Sequence, residues 1–287
     1  MHIPDGYLDP SIAATFYILS MAVIAYSIRK TKVLPQHFGV VAAAIFAAQM
    51  LNWPIPGGTS AHFVGGALAG ILLGPYAGCL AMSVVLIVQC LVFADGGITA
   101  LGANIWNMAV VNVFVGYGIF KALEKYRSAA AFLAGWLGIT LAAVFAGLEV
   151  GLSKHFIYGM EVAVPVMGFW HALLGVVEGV VTAAVVSVAR VEAEAAVSKK
   201  PLAVIAAMII VSPLFAYAAE LVGYTEPLER AAEELGLEEG SIYPGLIPDY
   251  EIPGLGYASS LVSGAVGILI VLALAYLLNA RAARKNA

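Results

Sequence analysis

The amino-acid sequence predicts an all-α polytopic membrane protein of about nine transmembrane helices, with its N-terminus outside and its C-terminus in the cytoplasm. The first observation is composition, because 62% of the 287 residues are hydrophobic and only 11% are charged, against about a quarter charged in soluble domains. The second is a series of apolar runs, and the third is the placement of Lys and Arg between them. A net charge of -4 also excludes a basic nucleic-acid-binding surface.

Nine segments are apolar enough to be membrane-spanning helices, since a helix needs roughly 20 apolar residues to cross about 30 Å of hydrocarbon. Their predicted bounds are 10–28, 38–53, 62–74, 76–94, 103–120, 130–152, 165–188, 202–222 and 257–279. Many Ala, Gly and Ser residues within them favour close helix packing in lipid. Cys79 and Cys90 lie in apolar runs and are predicted to be small buried hydrophobic residues, not a disulfide.

The positive charges support this count, because Lys and Arg beside the spans collect on the cytoplasmic side of a membrane. Nine spans from an outside N-terminus place all but Lys154 and Arg230 of the 14 Lys and Arg residues inside. The segment 62–74 is short for a span, but a single kinked crossing over 62–94 would turn every later basic cluster outward. The motif GPYAG, Gly74 to Gly78, is therefore predicted to be a tight inside turn.

The chain is predicted to have two modules. Residues 1–190 form a seven-helix body, 191–201 a cytoplasmic linker, and 202–287 a two-helix C-terminal unit with an extracytoplasmic loop over 223–256. That loop is acidic, with Arg230 as its one basic residue. Its predicted role is either a solvated cap with a short helix over PLERAAEELGL or enrichment of cations by the negative field.

The first residues, MHIPDGYL, offer consecutive donors for a metal ion. No signal-peptide pattern is present, so Met1 is expected to remain the N-terminus. The Met1 amine, the His2 amide nitrogen and the His2 Nδ1 can close a five-membered and a six-membered chelate ring around one ion. With a fourth nitrogen they make a square-planar site, a geometry that favours Ni(II) or Cu(II). Pro4 has no N–H to compete.

The fourth donor is predicted to be His62, which opens the third segment on the outside after a Gly/Pro-rich loop. A lone histidine at a helix start is usually a polar cap. Here the short span, the loop that must dip into the bilayer and the need for one more nitrogen favour a ligand. His37 lies in a predicted cytoplasmic loop, and His155 lies in an outside loop beside Lys154.

Further polar residues are predicted at the same outer level or inside a span. The four amides among them are Gln49, Asn52, Asn104 and Asn107. They serve either to orient the ligands or to make interhelical hydrogen bonds. His171 and Glu178 are two helical turns apart on one face of the seventh segment, where ionisable groups are functional candidates. We expect a supporting role for this pair.

The sequence contains no sign of catalysis. It has no G-x-x-x-x-G-K-[ST] nucleotide loop and no H-E-x-x-H motif or nucleophile elbow. We therefore predict neither an enzyme nor a bound cofactor, and any energy input must come from another chain or from a gradient.

Four long stretches resemble a known family. They are MHIPDGYLDP at the start, AAQMLNWPIPGGTSAHFVGGALAGILLGP at 47–75, VQCLVFADGGITALGANIWNMAV at 88–110 and FWHALLGVVEGVVT at 169–182. These resemble the substrate-binding membrane subunit of cobalt/nickel energy-coupling-factor (ECF) transporters, the CbiM/NikM family, over about the first 190 residues. The C-terminal unit, with EPLERAAEELGL and IPDY, is similar to the small accessory subunit of the same systems (CbiN/NikN, or PDGLE-type), here fused to the first.

The resemblance implies a subunit in the cell membrane that captures Ni(II) or Co(II) from outside. A transmembrane coupling (T) subunit and a pair of ABC ATPases would then drive its reorientation and release the metal inward. In that family the ligands fall here on Met1, His2 and His62. Nickel is preferred over cobalt because a square-planar four-nitrogen site with a deprotonated amide suits low-spin Ni(II). The metal is the transported substrate, and the surrounding lipid is the other expected partner, with no nucleic acid.

Two other functions remain open from the residues. One is a gradient-coupled secondary permease that uses His171 and Glu178 as a proton relay and needs no partner. The other is a membrane metal sensor that binds metal without transporting it.

Overall fold

The computed structural model describes residues 1–31, 37–55, 59–188, 199–221 and 242–286. Within these ranges the chain is a bundle of helices with one pair of three-residue strands, β1 (Trp53–Ile55) and β2 (Thr59–Ala61). The strands are antiparallel, with Trp53 opposite Ala61. The predicted all-α class is confirmed.

Each of the nine predicted segments contains a helix. In chain order the helices are α1 (Pro10–Lys30), α2 (Phe38–Gln49), α3 (Gly66–Leu73), α4 (Pro75–Val88), α5 (Leu101–Asn104), α6 (Asn112–Ala122), α7 (Arg127–Leu152), α8 (Met160–Val188), α9 (Lys199–Glu220) and α10 (Ser259–Asn286). Two π-helical segments, Gln89–Phe93 and Ile105–Val111, extend α4 and join α5 to α6. Single 3-10 turns lie at Glu124–Tyr126, Pro248–Tyr250 and Gly256–Ala258.

Seven helical stretches of the described residues are long and apolar enough to cross a membrane. They are Pro10–Lys30, Pro75–Phe93, Leu101–Ala122, Glu124–Leu152, Met160–Ser187, Ala203–Glu220 and Gly256–Ala280. The protein is therefore a multi-pass membrane protein. The helices α2, with 12 residues, and α3, with 8, are shorter than a full span. The number of crossings and the side of the N-terminus stay predictions.

The two short helices differ from their predicted bounds for local reasons. The helix α2 ends at Gln49, before the predicted end at 53, because the Trp53–Pro54 step disfavours the helical conformation and begins β1. The predicted helical start at residue 62 is also wrong: α3 begins at Gly66, after Gly65 in a left-handed conformation with φ 81°. The predicted GPYAG turn narrows to Gly74, also at φ 81°, and Pro75 already begins α4.

Small residues let the helices of the body approach closely, as predicted. A Cβ on Gly147 of α7 would lie 2.9 Å from Cα of Val164 on α8, and one on Gly175 of α8 would lie 2.9 Å from the carbonyl oxygen of Trp136. The predicted state of Cys79 and Cys90 is confirmed, since both are buried free thiols.

The C-terminal helices pack directly on the body. The ring of Phe46 in α2 lies against Gly267 of α10, and a Cβ on Gly39 would lie 3.1 Å from Cβ of Ala275. Of the predicted linker 191–201, residues 199–201 belong to α9, and the remainder lies outside the described residues. So does the predicted short helix over PLERAAEELGL.

Candidate metal centre

The N-terminal segment is inserted into the helical bundle. Met1, His2 and Ile3 are 3%, 4% and 0% exposed. Ile3 N–H donates to Asn104 Oδ1 at 2.8 Å, and Asn104 Nδ2 donates back to the Ile3 carbonyl at 3.1 Å. The same carbonyl accepts the Gly97 N–H at 3.0 Å. Asn104 thus holds the main chain one residue after His2.

His2 and His62 are brought together, as the predicted site requires. Their rings are stacked, with centroids 5.3 Å apart and an interplanar angle of 21°. The His62 side chain is 8% exposed. Its Nδ1 lies 2.9 Å from the carbonyl oxygen of Phe63, so Nδ1 carries the proton and Nε2 is the basic nitrogen.

The electrostatics at His62 suit a neutral imidazole. Burial, followed by the charge of the nearby N-terminal ammonium and by His2, lowers the pKa of His62 to about 3. A neutral imidazole is the form that binds a metal. Met1, His2 and His62 are all buried, and His2 and His62 are in ring contact.

The loop that carries His62 is fixed by two buried side chains. Glu178 of α8 accepts the Val64 N–H at 2.9 Å on Oε2 and the Gly65 N–H at 2.7 Å on Oε1. Gln49 at the end of α2 donates to the Val64 carbonyl at 2.6 Å. These bonds satisfy backbone groups at the start of α3 that would otherwise be buried without partners. Glu178 therefore supports His62 through the backbone.

His171, the other member of the predicted pair, bonds elsewhere. It is 2% exposed, and its Nδ1 lies 2.9 Å from the Met167 carbonyl one turn earlier on α8. His171 and Glu178 thus have different hydrogen-bond partners.

The two remaining amides are Asn107 and Asn52. Asn107 Nδ2 donates to Glu149 Oε2 at 2.7 Å, joining the π-helical segment to α7. This is the interhelical use expected of a buried amide. Asn52 is half-buried between α2 and β1.

Asp95 is a site residue that the sequence analysis missed. Its Oδ1 lies 3.0 Å from His2 Nδ1, and its Oδ2 accepts the Tyr250 hydroxyl at 2.6 Å. Burial alone would raise the pKa of the Asp95 carboxyl, but the charges of His2 and His62, together with hydrogen bonds from His2 and Tyr250, hold it below its usual range. Its position in the sequence could have indicated a site residue, because Asp95 directly follows the predicted outer end of the span 76–94.

Asp5 was also missed, although it belongs to the quoted N-terminal motif. Its Oδ1 accepts both the backbone N–H of Thr99, at 2.8 Å, and the Thr99 hydroxyl, at 2.5 Å. Asp5 therefore ties the N-terminal segment to the loop that follows Asp95.

Side chains alone do not form a metal cluster in the described ranges, where no group of three or more His, Cys, Asp or Glu residues is spaced to hold an ion. The predicted donor set differs in kind, because two of its four nitrogens come from the main chain.

Comparison with known proteins agrees with the sequence motifs. Residues 2–195 match the family described as "Cobalt uptake substrate-specific transmembrane region", CbiM. An Archaeoglobus fulgidus protein provisionally named fused nickel transport protein NikMN is 70% identical, over 97% of this chain and 98% of that protein. The fused nickel transport protein NikMN of Rhodobacter capsulatus is 39% identical, over 65% of this chain and 61% of its own length.

A solved structure has the same fold over the body. The crystal structure of a truncated transition metal transporter superposes with a TM-score of 0.60 at 37% identity, covering 65% of this chain and 97% of that one. The family match spans more than half of the chain, and the similarity to a fused relative extends over nearly all of it. The chain therefore belongs to the CbiM family of nickel and cobalt transport proteins, in a form that joins the CbiM region to a C-terminal partner region.

Proposed function

We propose that this chain is the substrate-capture subunit of an ATP-driven ECF transporter and that its first substrate is Ni(II), with Co(II) as the alternative ion. The observation that carries the proposal is the burial of the N-terminal segment with His2 stacked on His62 at 5.3 Å. A chain terminus normally lies at the surface. A buried one beside two imidazoles needs a reason, and nitrogen donors for a metal supply it.

The proposed ligands are the Met1 amine, the amide nitrogen and Nδ1 of His2, and His62. A metal bound this way displaces one proton from the terminal ammonium and one from the His2 amide, because a nitrogen needs a free lone pair to coordinate. His2 Nδ1 must also exchange its contact with Asp95, 3.0 Å away, for the metal. Four nitrogens in a plane favour Ni(II) or Cu(II) over ions that prefer oxygen ligands.

We also propose that the chain divides into two units. Residues 1–190 would be the metal-binding body, 191–198 a cytoplasmic linker, and the part from Lys199, where α9 begins, to residue 287 a fused accessory unit with the acidic loop. The nucleotide chemistry would belong to a pair of ABC ATPases, coupled through a transmembrane subunit in the cell membrane. The relatives' names as transport proteins support a non-enzymatic role for this chain.

Radioactive nickel uptake tests the proposal. Cells would express this chain alone, with the coupling and ATPase subunits of a related nickel transporter, or with the same set carrying an inactive ATPase. We expect uptake above background only with the active set, and no effect of a protonophore at constant ATP. Uptake by the chain alone that a protonophore abolishes would support the permease instead. High-affinity binding without uptake in any combination would support the sensor.

A further inference from the structure

Part of the C-terminal unit lies directly on the metal region. The backbone N–H groups of Leu246 and Ile247 both donate to the Val92 carbonyl, at 2.8 and 2.7 Å. The Ile242 N–H donates to Asp5 Oδ2 at 3.1 Å. The segment 242–250 therefore contacts both the π-helical segment that precedes Asp95 and the N-terminal segment.

Tyr250 makes the most specific of these contacts. Its ring stacks on Phe93, with centroids 4.4 Å apart and an angle of 16°, and its hydroxyl donates to Asp95 Oδ2 at 2.6 Å. Its carbonyl accepts the Ser263 hydroxyl of α10 at 2.8 Å. Tyr250 has φ 60°, which is uncommon for a bulky residue and persists only where its surroundings fix it.

These contacts form a continuous path from α10 to the N-terminus. Ser263 fixes Tyr250, Tyr250 holds one oxygen of Asp95, and the other Asp95 oxygen lies 3.0 Å from His2 Nδ1. A phenol that donates to a carboxylate makes a strong, directional hydrogen bond. It leaves Asp95 little freedom to turn away from His2.

The charge balance of the proposed metal site indicates a role for the Asp95 carboxylate. A divalent ion bound by one deprotonated amide and three neutral nitrogens leaves one net positive charge at the site. His2 is 4% exposed, and an uncompensated charge in such a place is strongly disfavoured. The negative charge of Asp95, next to the ligand ring, brings the sum to zero.

We propose that Tyr250 is a positioning residue that the C-terminal unit supplies to the metal site: after His2 Nδ1 has exchanged its contact with Asp95 for the metal, the Tyr250 hydroxyl keeps the Asp95 carboxylate beside the site as the counter-ion of the bound metal. The inference rests on the proposed function. It implies that the fused C-terminal unit contributes a residue to the surroundings of the metal site, and this residue lies beyond the range 2–195 matched by the CbiM family.

The test compares two tyrosines on the same segment. Tyr250→Phe removes the hydroxyl and keeps the ring on Phe93. Tyr243→Phe is the matched control, because its hydroxyl donates to the Leu91 carbonyl at 3.0 Å and does not reach Asp95. Ni(II) affinity and release rate would be measured on the full chain by chelator competition, together with the absorption band of bound Ni(II) and the melting temperature.

We expect Tyr250→Phe to weaken Ni(II) binding about 10-fold, as loss of an outer-shell partner typically does, with faster release and only a small fall in melting temperature, since the ring stays on Phe93. Tyr243→Phe should match the wild type. Asp95→Asn should weaken binding at least as much, and adding Tyr250→Phe to it should have no further effect, since the two residues act as one unit.

Three outcomes would overturn the inference alone, and a fourth would overturn its premise as well. Tight wild-type binding that Tyr250→Phe leaves unchanged would overturn the inference alone. So would equal losses for both tyrosine variants, or additive losses for Tyr250→Phe and Asp95→Asn. Absence of tight Ni(II) binding by the wild type would overturn the proposed function and the inference with it.

Discussion

The side-chain amide of Asn104 pairs with both backbone polar groups of Ile3, accepting its N–H at 2.8 Å and donating to its carbonyl at 3.1 Å. The amide side chain makes the same pair of hydrogen bonds that a residue of a neighbouring β-strand would make. Asn104 therefore fixes the register of the N-terminal segment. If the segment shifted by one residue, the backbone groups of Ile3 would no longer lie opposite the Asn104 amide. The distance from this fixed point to the terminal amine is two residues, so the position of the amine follows from Asn104.

Adding one residue before Met1 should abolish tight Ni(II) binding. The amine would move beyond the chelate, and the added residue would have to enter a region where Met1 is only 3% exposed. We expect a loss larger than the 10–100-fold typical of an outer-shell change, with disappearance of the diamagnetic square-planar absorption band. Titration of purified protein checks this, with a one-residue C-terminal extension as control. Unchanged binding would place the site elsewhere.

Asn104→Ala should loosen the N-terminal segment, and Asn107→Ala is its matched control. Both remove a buried amide and about 1–3 kcal/mol of stability, so both should lower the melting temperature. Only Asn104 bonds Ile3, whereas Asn107 bonds Glu149. We therefore expect Ni(II) affinity to fall about 10-fold for Asn104→Ala and to change little for Asn107→Ala. Equal losses of affinity would mean that the effect is one of general stability.

The helices and the paired histidines could be predicted from the sequence for different reasons. Long apolar runs such as α7 and α10 reveal themselves by length alone. The proximity of His2 and His62 followed from counting nitrogen donors, since three consecutive donors at the N-terminus require a fourth. The helices depend on runs of neighbouring apolar residues, and the histidine pair depends on the need for a fourth nitrogen ligand. Both can be recognised without knowing any long-range contact.

Asp95, Tyr250 and the start of α3 could not be predicted, because distant residues determine them. Asp95 and Tyr250 are 155 positions apart, and no local pattern marks either as a partner of His2. The helix α3 begins at Gly66 because Glu178, more than 100 residues later, accepts the N–H groups just before it. The apolar composition of residues 62–65 predicts a helix, because local composition carries no information about their contact with Glu178.

His62→Ala should abolish high-affinity Ni(II) binding, whereas His37→Ala should leave it unchanged. The basic nitrogen of His62 belongs to a buried ring stacked on His2. His37 is exposed at the start of α2, with its Nε2 3.1 Å from the Leu72 carbonyl. Equilibrium dialysis against Ni(II) distinguishes the two variants. Equal effects would remove His62 from the ligand set.

Gly97→Ala should displace the N-terminal segment without unfolding the bundle. A Cβ at Gly97 would meet backbone atoms of Pro4 and Asp5, with the Pro4 carbonyl carbon only 2.6 Å away, a separation that flexible side chains cannot relieve. Gly118→Ala on α6 is the control, because a Cβ there meets nothing within 4 Å. We expect Ni(II) affinity to fall by more than about 10-fold for the first variant only. Wild-type affinity in Gly97→Ala would mean that the segment can bind metal from another position.

Glu178→Gln should weaken Ni(II) binding by loosening the His62 loop. Both carboxylate oxygens accept backbone N–H groups, from Val64 at 2.9 Å and Gly65 at 2.7 Å. A glutamine offers one oxygen and one NH₂, so one buried N–H would face another donor, at a cost of about 1–3 kcal/mol. Glu161→Gln, at an exposed position of the same helix, is the control and should match the wild type.

The Glu178→Gln variant also distinguishes support of a ligand from proton transfer. If Glu178 acts by holding the loop, the melting temperature and the Ni(II) affinity should fall together, and ATP-driven uptake should recover at higher nickel concentration because the binding site is weakened and not lost. A proton relay requires the opposite pattern, with binding retained and uptake abolished at every nickel concentration. Since each oxygen of Glu178 is already bonded to a backbone amide of the His62 loop, we expect the first pattern.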